Sequence, residues 1–506
     1  MNPQVLNYLK SINNADSEAL KALSVGGSGG VGAAGQNLVR EDLERVSRNA
    51  LWGQKAHQAC RRMPEFRADN YENHQFSVIR SYGSLFDSAF VGEFGRARRD
   101  QFRGKRKNIR LGTLALENAA SFQANLSNVG ENLGKGKVYD TNTVSLTRLL
   151  MALRNIAIWH SDTRVGHASD TVFKGVFEQH EDELASAQKY PNNPLFMPTT
   201  YCVDMRGAKM SRSKLEDGVA PISDEAWGSP TDLACHPRVM KGFKAEIQDG
   251  YKTERVMVAS EDGKPIRTGQ PIQGLWLLTG NLDFYQDLFI GRDFHFSDPV
   301  DVDSEWTPSD KAPATPAAPA VAANANVAGS LFQAVDVANN VALKYKLQAI
   351  SQDGFASSVS AASAASNVAA AGSATVSWNS VANVAAYDVL RNSAEFPDRY
   401  FKIGRVKNTG AALTFTDKNH LIPGTDQAAA YEMALPRAMV SGELVQTSGD
   451  EADNVLSWAY LGVQGAQQTL ELARLGLYQS ELLYMMGAPM LSQPKRLVRF
   501  INIGNR

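Results

Sequence analysis

The sequence predicts an α+β protein that carries an inserted all-β sandwich, and three patterns lead to this fold class. Apolar residues recur at three- and four-residue spacing through 139–162, as on one face of a long helix. Apolar and polar residues alternate at 75–80 and 107–114, as in β-strands. Several short alternating segments then follow a Thr/Pro/Ala-rich stretch at 307–328, as in a sandwich that is attached through a linker.

Composition limits the class of protein. With 506 residues, of which 43% are hydrophobic and 21% charged, the chain is long enough for two or three globular domains. A net charge of −1 gives no overall field that favours nucleic acid or an anionic membrane. Three widely spaced cysteines, Cys60, Cys202 and Cys235, favour free thiols in a reducing compartment. Neither a signal peptide nor a membrane-spanning apolar run is found, so we expect a soluble protein made in the cytoplasm.

Residues 1–60 predict an N-terminal arm. Short amphipathic helices are expected within 1–24, and a longer helix with both signs of charge within 36–60. The glycine-dense segment 26–35 between them formally matches G-x-G-x-x-G, but no strand precedes it and no Lys-Ser/Thr follows it. A hinge is therefore favoured over a nucleotide-binding loop.

A basic run lies between the first two predicted strands, in what we interpret as a two-stranded ribbon extended away from the body. Two phenylalanines, Phe94 and Phe102, are interleaved with it, and Asp100 is its single acid. Aromatic residues and arginines together are typical of interface cores. The run is expected to contact an acidic neighbour or nucleic acid, with a solvated loop as the alternative. Its cationic members are Arg96, Arg98, Arg99, Arg103, Lys105 and Arg106.

The long amphipathic helix, placed at 143–160 after the cap candidates Asp140, Thr141 and Thr143, is interpreted as a spine for the domain. Further along, the sequence predicts a strand ending near Val203–Gly207 and a helical turn from Ser223. A strand followed by a helix that starts at a proline is predicted across Thr231–Met240.

An acidic cluster follows, formed by Asp298, Asp301, Asp303 and Glu305 with Asp293. It could hold Ca²⁺ loosely, remain a solvated loop, or face the basic run on a neighbouring subunit. We favour the last interpretation, because opposed patches of this kind set register and partner choice.

Residues 329–430 predict the inserted module. Its phrases VSWNSVANVAAYDVLRN and FTDKNHLIPGTD resemble a fibronectin type III or related immunoglobulin-like domain, with Trp378 and Tyr387 in the core. The Ala/Ser-rich stretch 356–373 is expected to be a long loop. The predicted strands are Tyr345–Ser351, Ala374–Trp378, Tyr387–Arg391, Tyr400–Val406 and Leu413–Asp417.

The last part of the chain predicts a return to helix. Residues 457–477 are expected to be helical, and 481–490 form an apolar segment whose Met485 and Met486 fill the core or a ring interface. A final strand is predicted at 496–503.

The order of four phrases, LLMALRNIAIWHSD, VFKGVFEQ, VDMRG and TDLACHPRVMKGFKAEI, resembles the major capsid proteins of tailed bacteriophages. Segments 274–281 and 495–504 stand where that family returns to its central sheet, and the resemblance covers 75–300 and 432–506. It implies a capsid core at 61–306 and 431–506. Within this core it implies an extended loop at 76–114, the peripheral-domain spine helix at 143–160, and an axial domain from about 200.

The resemblance implies a structural protein. Copies would assemble as hexamers and pentamers of an icosahedral head around double-stranded DNA, in the virion, with the module on the outer surface. The resemblance is also compatible with portal, scaffold and decoration proteins as partners. The contact with DNA would lack sequence specificity. An encapsulin-type compartment shell, or a secreted adhesin or carbohydrate-active enzyme with an accessory module, are the alternatives.

Catalytic patterns do not change this interpretation. No H-E-x-x-H, Walker A or EF-hand pattern is found, and the G-x-S-x-G match at Gly26–Gly30 has no strand before it. His160 and His167, with Asp162 and Asp170, imply no third metal ligand. The neighbours Cys235 and His236 would point to opposite faces of a strand. We therefore predict no catalytic residue, no cofactor and no metal.

Overall fold

The protein is a mixed α+β chain. The computed structural model describes residues 62–81, 91, 93, 95–96, 103–121, 138–163, 172–188, 201–226, 228–250, 274–277, 280–291, 312–333, 336, 342–352, 355–393, 396–433, 455–462, 468–472 and 478–504. The predicted arm helices, the glycine-dense segment and the acidic cluster lie outside these residues.

The helices and strands occur in the following order along the chain: β1 (Glu65–Arg67), β2 (His74–Ser81), β3 (Arg103–Ile109), β4 (Gly112–Ser121), α1 (Val138–His160), α2 (Val176–Gln188), β5 (Cys202–Asp204), α3 (Arg212–Ala226), β6 (Asp232–Cys235), α4 (Pro237–Gly250), β7 (Gly274–Leu277), β8 (Gly280–Gln286), β9 (Ala320–Asn324), β10 (Tyr345–Ser351), β11 (Ser373–Trp378), β12 (Val384–Arg391), β13 (Phe401–Lys407), β14 (Leu413–Asp417), β15 (Asp426–Tyr431), β16 (Leu456–Tyr460), β17 (Gln468–Glu471), β18 (Tyr478–Leu491) and β19 (Leu497–Ile503).

These strands form five sheets. A six-stranded mixed sheet has the order β5-β19-β15-β6-β8-β7, and a five-stranded sheet has the order β1-β16-β18-β17 with β4 also paired to β18. The strands β2 and β3 form a separate ribbon. Two three-stranded sheets, β10-β12-β13 and β14-β11-β9, come from the part of the chain predicted as the inserted module. Segments far apart in sequence therefore meet in each of the two large sheets.

The predicted spine helix is confirmed as α1, although it begins five residues before the predicted start. Leu150, Ile158 and Trp159 are fully buried, whereas Leu149 and Leu153 of the predicted apolar stripe are only partly buried. Leu150 packs with Leu483 of β18, so the helix lies on the five-stranded sheet. Thr143, which was predicted as a cap, is inside the helix, and its Oγ1 donates to Glu481 Oε1 at 2.7 Å.

The predicted C-terminal helix at 457–477 is wrong. The strand β16 occupies its first part and β17 its later part, and both lie in the five-stranded sheet. Residues 456–459 are buried without a break, because β16 is enclosed between β1 and β18. A short continuous apolar run has no periodicity that separates a buried strand from a helix, which explains the error. Met485 is buried, as expected for core filling.

The six-stranded sheet contains most of the segments predicted for it. The strand and proline-started helix at Thr231–Met240 are confirmed as β6 and α4, and the returns at 274–281 and 496–503 are confirmed as β7–β8 and β19. The predicted helix start at Ser223 is wrong, because α3 begins at Arg212 and ends at Ala226. Leu215, Val219 and Ile222 are fully buried at helical spacing in α3, and this was the signal for the earlier start.

The predicted ribbon exists, but its second strand differs from the prediction. The strand β3 pairs antiparallel with β2, so that His74 lies opposite Ile109 and Ser77 opposite Arg106. Much of the basic run is thus in the ribbon strand itself and not in the connection between the strands. The predicted strand 107–114 is divided at Leu111, which is fully buried, and the chain continues as β4 in the five-stranded sheet.

The strands predicted for the inserted module are confirmed in position, and the two three-stranded sheets share one apolar core. Trp378 and Tyr387 are buried in this core with ring centroids 5.6 Å apart, as expected. Its assignment as an immunoglobulin-like domain stays a prediction.

The edges of the module differ from the predicted boundaries. The strand β9 lies within the predicted linker 307–328 and pairs with β11. Its alanine-rich sequence resembles the composition of a linker, which explains why the strand was not predicted. The strand β15 crosses the predicted end of the module at residue 430 and belongs to the six-stranded sheet, between β19 and β6. The module therefore ends before Asp426.

The Ala/Ser-rich stretch is confirmed as a long loop, with no helix or strand before β11 begins at Ser373, and this loop runs along β10. Ser357, Ser360 and Ser363 donate their backbone N–H groups to Ala349, Leu347 and Tyr345 at 2.8 Å each. The N–H groups of the same three β10 residues return hydrogen bonds to the serine Oγ atoms at 2.9–3.0 Å. We call Ser357, Ser360 and Ser363 the serine ladder. The bonded serines recur every three residues along this segment, whereas their partners recur every two residues along β10. A three-residue period belongs to neither a helix nor a strand, so sequence patterns for those elements do not detect it.

Candidate assembly surfaces

The base of the β2–β3 ribbon is fixed to the body of the protein. Ile109 is buried in the main core cluster, and Phe76 packs against that cluster. Lys107 Nζ donates to the Ser492 carbonyl at 3.3 Å, and the Leu111 N–H donates to the Tyr71 carbonyl at 3.0 Å. The ribbon therefore leaves the body from a defined root.

The cationic residues predicted for contact are distributed along this ribbon and its connection. Arg106 is exposed on β3, opposite Ser77, and Arg96 is exposed in the connection. Arg103 and Lys105 occupy β3 positions opposite Ser81 and Val78. Arg98 and Arg99, and the acidic residues Asp298, Asp301, Asp303 and Glu305, lie outside the described residues. The structure thus brings three of the six cations onto one strand, and their pairing with the acidic cluster stays a prediction.

The ribbon is a two-stranded sheet in the part of the chain that the structure describes. Among the residues that the structure describes, nothing pairs with the outer edge of either β2 or β3. A two-stranded hairpin is marginally stable in water unless another surface covers it.

A buried carboxylate fixes the spine helix to the six-stranded sheet. Asp287, at the end of β8, accepts from Asn155 Nδ2 at 2.9 Å and from Trp159 Nε1 at 2.8 Å. The Phe289 N–H also donates to it at 2.9 Å. Burial raises the pKa of Asp287 to about 6, against the lowering effect of these donors. Sequence periodicity indicated neither Asp287 nor its partners.

The chain before the ribbon is held by two arginines. Arg62 contacts Asp232 through an ion pair, and its guanidinium lies 4.8 Å from the centroid of the Tyr285 ring. Arg154 of α1 pairs with Glu65 at 2.7 Å and lies 4.4 Å from the Trp458 ring centroid. Burial raises the pKa of Asp232, and the positive charge of Arg62 offsets part of this rise. These contacts connect β1, the spine helix and both large sheets in one rigid base.

The residues considered for chemistry have structural contacts. His160 Nε2 lies 3.1 Å from both the Phe289 and the Ile290 carbonyl oxygens. Burial raises the pKa of the Cys235 thiol to about 12 and lowers the pKa of His236 to about 4. A thiol with such a pKa is a poor nucleophile, and the Cys235 side chain is fully buried.

Metal and membrane patterns were also tested in the part of the chain that the structure covers. Within the described ranges, no group of three or more His, Cys, Asp or Glu side chains is placed to hold a metal ion. His167 and Asp170 lie outside these ranges. None of the helices in the described residues has the length and apolar character needed to cross a membrane.

Comparisons with known proteins give similarity only at the level of solved structures. No protein-family model matches the chain, and no curated protein matches it. A Gordonia phage Cozz structure is 10% identical with a TM-score of 0.42, covering 93% of each chain. The capsid of a native GTA particle is 8% identical with a TM-score of 0.40, covering 92% of this chain and 96% of that one. An encapsulin complex from Synechococcus elongatus is 7% identical with a TM-score of 0.37, covering 94% and 96%.

One of these neighbours is described as a capsid and another as an encapsulin complex. Their identities and TM-scores are too low to bear on the function of this chain, which has to be argued from its own residues.

Proposed function

We propose that this chain is the major capsid subunit of a tailed-phage head, which assembles through hexamers and pentamers into an icosahedral shell around double-stranded DNA. The observation that carries the proposal is the β2–β3 ribbon. It has a buried root at Ile109, a cationic strand, and no further strand paired to it in the described residues. Such a ribbon gains its missing contacts from a second copy of the chain.

The order of elements also supports this proposal. The phrases that resemble major capsid proteins fall on α1, the start of α2, β5 and the β6–α4 unit. The ribbon precedes the spine helix, and the C-terminal strand β19 returns to the six-stranded sheet. This is the order that the resemblance implies, from extended loop to spine helix to axial domain.

Charge distribution supports assembly between copies. The chain has a net charge of −1, so copies do not repel one another strongly. The six cationic residues of the basic run nevertheless give the ribbon and its connection a local positive charge. The acidic cluster at Asp298–Glu305 of a neighbouring subunit is the complementary surface that we propose for them. DNA would contact the inner surface without sequence specificity.

The proposal is tested by particle formation. We expect electron microscopy and sedimentation velocity of the purified chain to show shells, tubes or rings of five and six subunits. Exchanging Arg98, Arg99 and Arg103 for Glu should abolish these particles and leave a folded chain, because like charges would then face each other across the interface. Exchanging the same residues for Lys is the matched control, and it should assemble.

Particles formed normally by the glutamate variant would contradict the interface role of the ribbon. The contents of native particles separate the two kinds of shell. DNA protected from nuclease indicates a phage head, whereas a packaged protein cargo and no DNA indicates an encapsulin-type compartment.

A further inference from the structure

The inserted module meets the six-stranded sheet at a buried asparagine. Asn502 of β19 is fully buried and adopts a left-handed backbone conformation with φ of 55°. Its Nδ2 donates to Asp204 Oδ1 and to the His420 carbonyl, both at 2.8 Å. Its Oδ1 accepts from the Ile422 N–H at 2.9 Å. One side chain thus bonds both to the sheet and to the loop that returns from the module.

A second side chain makes the same connection. Arg206 Nη1 donates to the carbonyls of Leu331 at 3.3 Å and Asn419 at 3.1 Å, both in the module. Its Nη2 pairs with Asp204 Oδ2 at 2.8 Å. Arg206 also has a positive φ of 51°, a conformation that is unfavourable for a residue with a side chain. Asp204 therefore receives donors from both Asn502 and Arg206.

The hydrogen bonds continue into the module. Asn419 is fully buried, and its Nδ2 donates to Asp336 Oδ2 at 2.7 Å. Its Oδ1 accepts from Arg391 Nη2 at 2.7 Å, and its N–H donates to Asp417 Oδ1 at 2.8 Å.

Asp417 in turn connects to the core of the module. It forms an ion pair with Arg391 and accepts from Tyr345 Oη at 2.9 Å. Tyr345 is fully buried in the core cluster that both module sheets share. A continuous chain of hydrogen bonds therefore runs from the six-stranded sheet to the centre of the module.

We propose that this chain of contacts, which we call the polar joint (Asp204, Arg206, Asn419 and Asn502), makes the module and the six-stranded sheet one cooperative unit with a fixed mutual orientation. Domains joined by a linker move relative to each other unless their interface prevents it. Here, separation would leave buried donors and acceptors without partners on both sides, and each such group costs free energy. The inference does not depend on the proposed function.

Hydrogen exchange of the full chain tests the joint. We expect the amides of β10 and β12 in the module to have the same opening equilibrium constants as the amides of β15 and β19 in the sheet. Asn502→Ala removes the contacts to both sides. It should raise the exchange rate of one set of amides at least about tenfold relative to the other, as expected for the loss of roughly 1.4 kcal/mol of coupling.

Arg206→Ala provides a second variant if Asn502→Ala does not fold, because the Arg206 side chain is 20% exposed and its loss is milder. Arg212→Ala is the matched control. Arg212 lies six residues after Arg206, and its substitution removes an arginine from a surface ion pair with Glu216. The control should exchange as the wild type does. Different opening constants in the wild type, or variants in which both sets change equally or not at all, would overturn the proposal.

Discussion

The ribbon and the inserted module both leave the body of the protein, but they are attached in opposite ways. Among the described residues, the apolar contacts of the ribbon lie at its root, where Ile109 is buried in the main core cluster and Phe76 packs against it. The module encloses its own core around Tyr345, Trp378 and Tyr387, and polar side chains fix its position. The difference indicates that the ribbon needs another surface for its stability, whereas the module needs one only for its orientation.

The largest effect is expected from deletions that test where the module ends. Removing residues 311–428 and joining the ends also removes the first half of β15, whose Ala428 lies opposite both Phe500 and Cys235. We expect this chain to be insoluble, because the six-stranded sheet loses a central strand. Replacing residues 320–421 with a short Gly/Ser linker retains β15 and should give a folded chain, as judged by circular dichroism and thermal unfolding. Equal solubility of the two chains would show that our boundary is misplaced.

A smaller effect is expected at the root of the ribbon. Leu111 is fully buried where the chain passes from β3 to β4. Leu111→Ala should lower the free energy of unfolding by about 2–5 kcal/mol, because it removes buried methyl groups and leaves a cavity. Urea denaturation measures this loss.

Leu470→Ala is the matched control for that experiment. Leu470 is 52% exposed on β17, so the loss should stay within about 0.5 kcal/mol. If the two variants were equally stable, the ribbon root would not be part of the core.

The smallest of the three effects concerns the core to which both regions are attached. His180 of α2 is fully buried, its Nε2 lies 2.8 Å from the Leu497 carbonyl oxygen, and burial lowers its pKa to about 3. Below about pH 6.5, His180 binds a proton in the unfolded chain but stays neutral in the folded protein. The free energy of unfolding therefore falls as the pH falls below that value. Asp287 acts in the opposite direction, because its pKa is raised to about 6 and the folded state gains stability as the pH falls through that value.

His180→Gln should therefore lose less stability on acidification than the wild type does. Between pH 7 and pH 4.5 the difference should reach roughly 3 kcal/mol, from two pH units at about 1.4 kcal/mol each. Urea denaturation at the two pH values measures it, with Asp287→Asn as a comparison that should lose more stability than the wild type. If the pH dependence of His180→Gln matched that of the wild type, His180 would have the same pKa in the folded protein as in the unfolded chain, and the argument from burial would be wrong.

Sequence patterns predicted the elements whose periodicity is regular. The spine helix and the module strands were found because apolar residues repeat every three to four positions in one and every two in the other. The strand β16 was missed because its buried run at 456–459 has no alternation.

The sites that connect distant segments could not be predicted in the same way. Asn502 and its partner Asp204 are 298 residues apart, and a left-handed backbone at Asn502 leaves no periodic signal. The cationic residues of the ribbon were recognisable from composition, whereas their place on β3 depended on strand pairing with β2.

The serine ladder has a consequence for chains that crowd together. The edge of a β-sheet normally offers free carbonyl and N–H groups to any strand that approaches it. Here Ser357, Ser360 and Ser363 each donate their hydroxyl to the carbonyl of the next residue, at 2.8–2.9 Å. Hydrogen-bonding groups that could recruit a foreign strand are thereby occupied within the molecule. These three carbonyls are therefore less available to a strand of another chain that approaches this edge.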